Sequence, residues 1–141
     1  MQPDGLITLA SHSGTKETLD RFETEVKRRG MNVFLRMDHA AGAAAAGLKM
    51  NSMELLLFGH AKGGTPLMLR AATVGIDLPL KALAWQDEDG KVWLAYNQPQ
   101  WIAARHHIGS EANPLLTTMT AVLEEIARFA TSPAAANPEG K

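Results

Sequence analysis

Hydrophobic positions along the chain follow two different periods, and together these periods predict a mixed α+β protein. From Thr15 to Arg29, apolar residues recur every three or four positions with charged residues between them, which is typical of an amphipathic helix. A second long helix is predicted to begin at Asn113-Pro114, because Pro is favoured in the first helical turn. Its apolar face carries Leu115, Met119, Val122, Ile126 and Phe129.

Five short segments have the apolar, alternating composition of β-strands. The dipeptide Asp89-Gly90 predicts a tight hairpin turn between the last two of them. The segment Met53–Phe58 is apolar on both faces, which predicts either a strand covered on both sides or a dimer contact. The combined pattern predicts a two-layer α+β sandwich, a mainly antiparallel sheet with the long helices packed on one face. The five predicted strands are residues 6–10, 33–37, 53–58, 80–87 and 91–96.

Weaker patterns fill the remaining segments. Residues 59–64 are glycine-rich and are predicted to form a loop, and Thr65-Pro66 is a helix-start signal. Residues 40–48 predict a short helix or compact turn, because Ala favours a helix and Gly weakens it. Residues 1–131 are expected to form a single domain. Residues 132–141, rich in Pro, Ala and Gly, are expected to form a disordered tail.

Composition narrows the classes of partner and site. The formal net charge of the 141 residues is -1, so nothing in the overall charge favours nucleic acid or an anionic membrane. There is no cysteine, which excludes disulfides, thiol nucleophiles and thiolate metal sites. Apolar runs are shorter than the ~20 residues that span a bilayer. We therefore expect a cytoplasmic protein that binds neither nucleic acid nor membrane, and the sequence assigns no cofactor.

Several motifs occur in a fixed order along the chain. They lie at residues 38–42, 58–62, 64–68 and 77–81, followed by the hairpin residues 85–93 and 96–97 and by Arg105-His106. In this order they resemble the domain-of-unknown-function 302 family, over roughly residues 6–130. The resemblance implies a compact α+β domain of the TATA-binding-protein-like class that forms a homodimer, and it implies no catalytic residue. The chain departs from the family pattern at His60-Ala61, where Asn-Pro is usual, and at Gly63, where Ala is usual.

The segment from Gly59 to Thr65 is the first candidate site. Its glycines allow a ligand to approach the backbone, and a helix amino terminus with Lys62 beside it favours an anion. Lys62, Gly64 and Thr65 are therefore candidate ligand-binding residues. Nucleoside-triphosphate hydrolysis is excluded, because no lysine follows the last glycine. The alternative is a tight strand-to-helix turn in which the glycines serve only the backbone geometry.

Three further polar residues are candidates for the same site. Asp38 can cap the segment that follows it, and a helix amino terminus would keep His39 neutral, as a base or hydrogen-bonding group. The alternative is that both residues only fix a bend. Lys81 could clamp a ligand or act as a nucleophile. The alternative for Lys81 is a side chain that extends to water from a sheet edge.

The remaining histidines and aromatic residues indicate structure more than chemistry. His106 and His107 are adjacent, so their side chains diverge by about 100° on a helix and do not chelate one ion. We therefore predict no metal site. The aromatic residues of the hairpin region are expected to form core or interface, because no basic residues interleave them as in a nucleic-acid platform. They are Trp85, Trp93, Tyr96 and Trp101.

Three functions are compatible with these patterns. The first is a dimeric module that binds or senses a small anion or carboxylate in a recess between the helices and the sheet. The second is an enzyme in which His39 is a general base and Lys62 or Lys81 stabilises charge. The third is a protein-interaction module. The first two require folding to bring together Asp38, His39, Lys62, Gly64, Thr65 and Lys81.

Overall fold

A computed structural model describes residues 2–133, and within them the chain forms the predicted five strands and two long helices. Two short 3₁₀-helices, Ala72–Asp77 and Ser110–Ala112, connect larger elements. Of the tail predicted for residues 132–141, residues 134–141 lie outside the described part. The elements are β1 (Leu6–Ser11), α1 (Thr15–Arg28), β2 (Asn32–Asp38), α2 (His39–Ala45), β3 (Met53–Gly59), α3 (Ala61–Arg70), β4 (Leu80–Gln86), β5 (Val92–Asn97), α4 (Pro99–Arg105) and α5 (Asn113–Thr131).

The five strands form one sheet in the order β1-β5-β4-β3-β2, and every neighbouring pair is antiparallel. The predicted hairpin joins β4 to β5, and its turn residue Gly90 adopts a φ of 83°, a left-handed conformation that glycine tolerates best. The register of β2 against β3 shifts between Val33 and Leu35. The mainly antiparallel sheet predicted from the sequence is confirmed.

Helices α1 and α5 cover one face of the sheet, as predicted. Their apolar faces interlock with alternate residues of the central strands, because side chains one apart on a strand point to opposite faces. The rings of Phe22 and Phe58 meet edge to face, with centroids 5.1 Å apart and planes inclined at 67°. The largest fully buried side chains of this layer are Leu19, Phe22, Val26, Leu56, Phe58, Leu94, Leu123 and Ile126.

The opposite face of the sheet, here called the open face, is also apolar. Pairing register and alternation place the other set of strand residues on this face, most of them half-buried among themselves. Lys81 is the one charged residue that the described strands place there. Helix α2 borders the open face at one end, where Ala40 and Ala44 share a cleft with Met53 and Trp85. The apolar residues of the open face include Leu35, Met37, Met53, Leu55, Leu57, Leu83, Trp85, Trp93 and Ala95.

One local prediction needs correction. Residues 59–64 are not a loop, because α3 begins at Ala61 and Pro66 lies inside it. The aromatic residues of the hairpin region, predicted to form core or interface, lie in three different places. Trp85 and Trp93 pair on the open face, and Tyr96 is buried on the helix-covered face. Trp101 instead belongs to α4 and packs against Gly5, where a Cβ atom would collide with its ring.

Candidate functional site

A recess of about 490 Å³ opens at the end of β3, where α3 begins. Its volume lies in the range of small-molecule sites, ~300–1,000 Å³. The walls come from the start of β2, the first turns of α3, residues 75–80 and one residue of α5. Most of the lining is apolar: Met31, Phe34, Met68, Leu78, Leu80 and Met119. The polar side chains of the lining are Asn32, His60 and Thr65.

His60 determines where α3 begins. Its backbone is extended and its ring Nδ1 accepts a hydrogen bond of 3.0 Å from the backbone N–H of Lys62. Its carbonyl oxygen accepts from the N–H groups of Gly63 and Gly64, at 2.9 and 3.0 Å. In the usual family pattern, Asn would cap this helix and Pro would occupy its first position, which both residue types favour. In this chain, the ring nitrogen of His60 provides the cap instead. Three amides of this turn are therefore already bonded within the protein.

A second, cationic cleft adjoins the recess. It has a volume of about 620 Å³, and Met31 and His60 line both spaces. Its charged residues are Arg28, Arg29 and Lys62. The two arginines are engaged in ion pairs with Glu25, at 2.9 and 3.6 Å, and Arg29 also pairs with Glu125 at 2.9 Å. Lys62 forms no ion pair with any residue of the described range, so its charge is free for a ligand.

The structure brings together three of the six predicted site residues. Gly64 and Thr65 line the recess, and Lys62 lines the adjoining cleft. Asp38 and His39 lie elsewhere, because Asp38 pairs with Glu54 at the other end of β3 from Gly59. Glu54 and Gly59 are five positions apart in the sequence, which corresponds to about 17 Å along the strand. The Asp38 Oδ1 atom accepts the backbone N–H of Ala41 at 2.9 Å, as an N-cap does.

Lys81 also lies outside the recess. It follows Leu80, which faces the helices, so its own side chain begins on the open face. Its Nζ atom donates to the backbone oxygens of Pro79 at 3.0 Å and Asp77 at 3.4 Å. The prediction of one shared recess for positions 38, 62 and 81 is therefore wrong. The predicted arrangement in which His39 acts as a base beside Lys62 or Lys81 depended on that shared recess and is wrong for the same reason.

One polar cluster was missed by the sequence reasoning. Arg105 Nη1 donates to both carboxylate oxygens of Asp77 at 2.8 Å, and His106 Nε2 contacts the same carboxylate. The other ring nitrogen of His106 is 2.8 Å from the Thr73 hydroxyl. Burial by itself raises the pKa of Asp77, but hydrogen bonds from His106 and Arg105 outweigh this and lower the pKa below its ordinary value. One feature of the sequence could have indicated this cluster: Asp77 and Arg105-His106 belong to two motifs of the same family pattern.

Comparison with known proteins supports the family resemblance. The model of a family described as "Domain of unknown function DUF302" matches residues 7–126. The chain belongs to the DUF302 family. A solved DUF302 protein, described as an uncharacterized conserved protein from Bacillus stearothermophilus, superposes with a TM-score of 0.79. The superposition covers 91% of this chain and 99% of that one at 17% sequence identity, and it shows that the two share a fold.

Curated relatives of this DUF302 chain are named as ion channels. It is 43% identical over 126 residues to "Fluoride-specific ion channel FluC 1" of Brucella suis, and equally to FluC 1 of Brucella abortus and FluC 2 of Brucella melitensis. The match covers 89% of this chain but 50%, 47% and 47% of the three relatives. The chain thus spans about half the length of the curated relatives it matches. Among residues 2–133, no helix combines the length and apolar character needed to cross a bilayer.

We predict that His60→Ala lowers the free energy of unfolding by about 1 kcal/mol, because the cap of α3 is lost. His60→Asn should restore most of that loss, because an Asn side chain caps the same amide. Urea denaturation of the two variants beside the wild type measures both values. Equal losses for His60→Ala and His60→Asn would contradict the capping role.

Proposed function

We propose that this DUF302 domain is a dimeric, cytoplasmic module that binds a small carboxylate with an apolar body. The observation that carries the proposal is the adjacency of an apolar recess and a cationic cleft, which share Met31 and His60. A ligand that spans both spaces places its apolar part in the recess and its carboxylate in the cleft. The apolar body leaves water, and the carboxylate meets a cation.

The apolar end of the ligand would lie among three methionines that line the recess, Met31, Met68 and Met119. Methionine side chains are flexible and polarizable, so they adapt to ligands of different shape. The Thr65 hydroxyl and the Asn32 amide form no side-chain hydrogen bond with another described residue. These groups are therefore available to orient a bound molecule.

The charged end of the ligand would lie beside Lys62. Within residues 2–133 its ammonium group has no ion-pair partner, whereas Glu25 and Glu125 already partly neutralise Arg28 and Arg29. The hydrogen bond from the Lys62 amide to His60 leaves the Lys62 side chain free to move toward a carboxylate. The amides of Gly63 and Gly64 are bonded to His60, so we assign the recognition of charge to the lysine and not to a backbone cradle.

We predict that octanoate binds this chain and raises its melting temperature, and that octan-1-ol binds more weakly because it lacks the charge. Lys62→Gln should weaken octanoate binding by about two- to five-fold, the usual strength of a solvent-exposed ion pair. Gly63→Phe should abolish binding by filling the recess, since a Cβ atom at Gly63 meets no other atom within 4 Å. Isothermal titration calorimetry measures all four affinities.

The matched control is Lys49→Gln, which removes the charge of an exposed lysine that lines a different cleft, beside α2. Octanoate affinity should be unchanged in Lys49→Gln. Unchanged affinity in Gly63→Phe would place octanoate elsewhere, and a wild type that does not bind millimolar octanoate would contradict the proposal.

The open face supports the dimeric part of the proposal. Five strands about 4.8 Å apart and about 17 Å long present roughly 400 Å² in projection, which is as large as the largest apolar patch of a typical monomer. Leu35 and Met37 at one edge of this face are 45% and 42% exposed. A second copy of this chain would cover the face sheet to sheet, at the ~10 Å spacing of β-sandwiches.

We predict that the protein sediments as a dimer and that Leu83→Lys converts it to a monomer, because a two-fold interface would bury two like charges. Leu83 pairs with Leu55 and Ala95 near the centre of the open face. The matched control is Leu69→Lys on α3, where the wild-type side chain is 83% exposed. A monomeric wild type, or a Leu83→Lys variant that remains dimeric, would contradict the proposal.

The curated relatives favour a second candidate function, a role beside a fluoride channel. About half of each FluC relative matches this chain, and the described residues of the chain contain no membrane-spanning helix. We propose that the matched half is an accessory domain in those proteins and that the present chain serves the same process.

We predict that deleting the gene for this chain lowers the fluoride concentration that halves growth of its host. Plasmid-borne wild type should restore resistance, and equal concentrations of chloride should have no effect. Unchanged fluoride tolerance in the deletion strain would contradict the accessory role.

A further inference from the structure

The cluster of Thr73, Asp77 and His106 joins three side chains in one line of hydrogen bonds. Thr73 and Asp77 lie at the two ends of the 3₁₀-helix, and His106 directly follows α4. The imidazole of His106 is 7% exposed and the Asp77 carboxylate is 16% exposed, whereas Thr73 is exposed to solvent. An exposed hydroxyl is thus backed by a nearly buried imidazole and a carboxylate.

The direction of the hydrogen bonds follows from the charges. Arg105 contacts both oxygens of the Asp77 carboxylate at 2.8 Å and favours its ionised form, which accepts hydrogen bonds and donates none. The Nε2 atom of His106 must therefore carry the proton that it shares with Asp77. In the neutral ring Nδ1 is then an acceptor, so the Thr73 hydroxyl donates to it at 2.8 Å.

We propose that Thr73 is a nucleophile for acyl transfer, with His106 as its general base and Asp77 as the residue that orients the ring. The order of hydroxyl, imidazole and carboxylate is the one found in the catalytic triad of ester hydrolases. Here the hydroxyl contacts Nδ1 and the carboxylate contacts Nε2, the reverse of the usual assignment. This site is separate from the recess and does not depend on the carboxylate-binding proposal. The acyl donor is an ester whose leaving group is a phenol or alcohol.

The reaction proceeds in two balanced steps. The Thr73 oxygen bonds to the ester carbonyl carbon while its proton passes to Nδ1 of His106. The bond from that carbon to the leaving oxygen then breaks, and the leaving oxygen takes the same proton. Water next attacks the acyl-threonine ester and gives a proton to His106, which returns it to the Thr73 oxygen as the free acid departs.

A purely structural role explains less of the geometry. Two hydrogen bonds from Arg105 to Asp77 already tie α4 to the 3₁₀-helix. The His106 ring adds a further hydrogen bond to Asp77, yet its Nδ1 atom contacts the hydroxyl of the exposed residue Thr73 and not a backbone group. Thr73 is a solvent-exposed residue, and the proton of its hydroxyl has a base in contact.

The experiment uses p-nitrophenyl acetate as the acyl donor and maps acetyl groups by peptide mass spectrometry. Thr73 should be acetylated about 10²-fold faster than an unassisted threonine, the lower end of the usual gain from a positioned base. The internal reference is Thr118, an exposed threonine on α5 whose hydroxyl donates to the Pro114 carbonyl. Nitrophenolate release should continue after the first turnover as water removes the acetyl group.

Variants separate the proposed chemistry from folding. Thr73→Val keeps the shape of the side chain and should abolish nitrophenolate release, whereas Thr73→Ser and the control Thr118→Val should retain it. His106→Gln should lose it as well, and unchanged circular dichroism of Thr73→Val excludes unfolding as the cause. Acetyl groups confined to lysines and other histidines, or wild-type release by Thr73→Val, would overturn the proposal and leave the cluster as a tether.

Discussion

One-sided packing of the antiparallel sheet is the constraint on which the other features depend. Helices α1 and α5 bury alternate residues of the central strands, with Phe22 and Phe58 in edge-to-face contact between the layers. Register decides which residues these are, because a shift by one position would turn the buried set outward. The same register places Leu80 toward the helices and Lys81 on the opposite face. Register therefore separates the helix-covered residues from the open face, which we propose to be the dimer surface.

Sequence patterns anticipated the elements whose signal is local. The long helices and the Asp89-Gly90 hairpin follow from periodicity and turn chemistry within a few residues, and the structure confirms them. The start of α3 could not be read in this way. Glycines at 63 and 64 argue against a helix, and the group that compensates is a histidine, a residue type seldom expected to cap.

The candidate site was harder to predict than the fold, because it depends on register and on irregular segments. Nothing local shows that Asp38 pairs with Glu54, and this pairing alone moves His39 away from Lys62. The contact of His106 with Asp77 requires a 3₁₀-helix and the end of α4 to meet across 29 positions of sequence. Gly64 and Thr65 line the recess because they follow a strand end, where loops and helix starts gather, and their role in binding stays a prediction.

His60 connects occupancy of the recess to the order of a helix. His60 lines both the recess and the cleft, and its ring holds the first turn of α3. Any molecule that competes for Nδ1 must release the Lys62 amide and fray this turn, whereas one that contacts only Nε2 leaves the turn intact. Because the two equilibria are linked, unfolding of the turn favours binding of such a molecule, and its binding favours unfolding of the turn. In the proposed ligand site, the imidazole would thereby couple a local helix–coil equilibrium to chemical recognition.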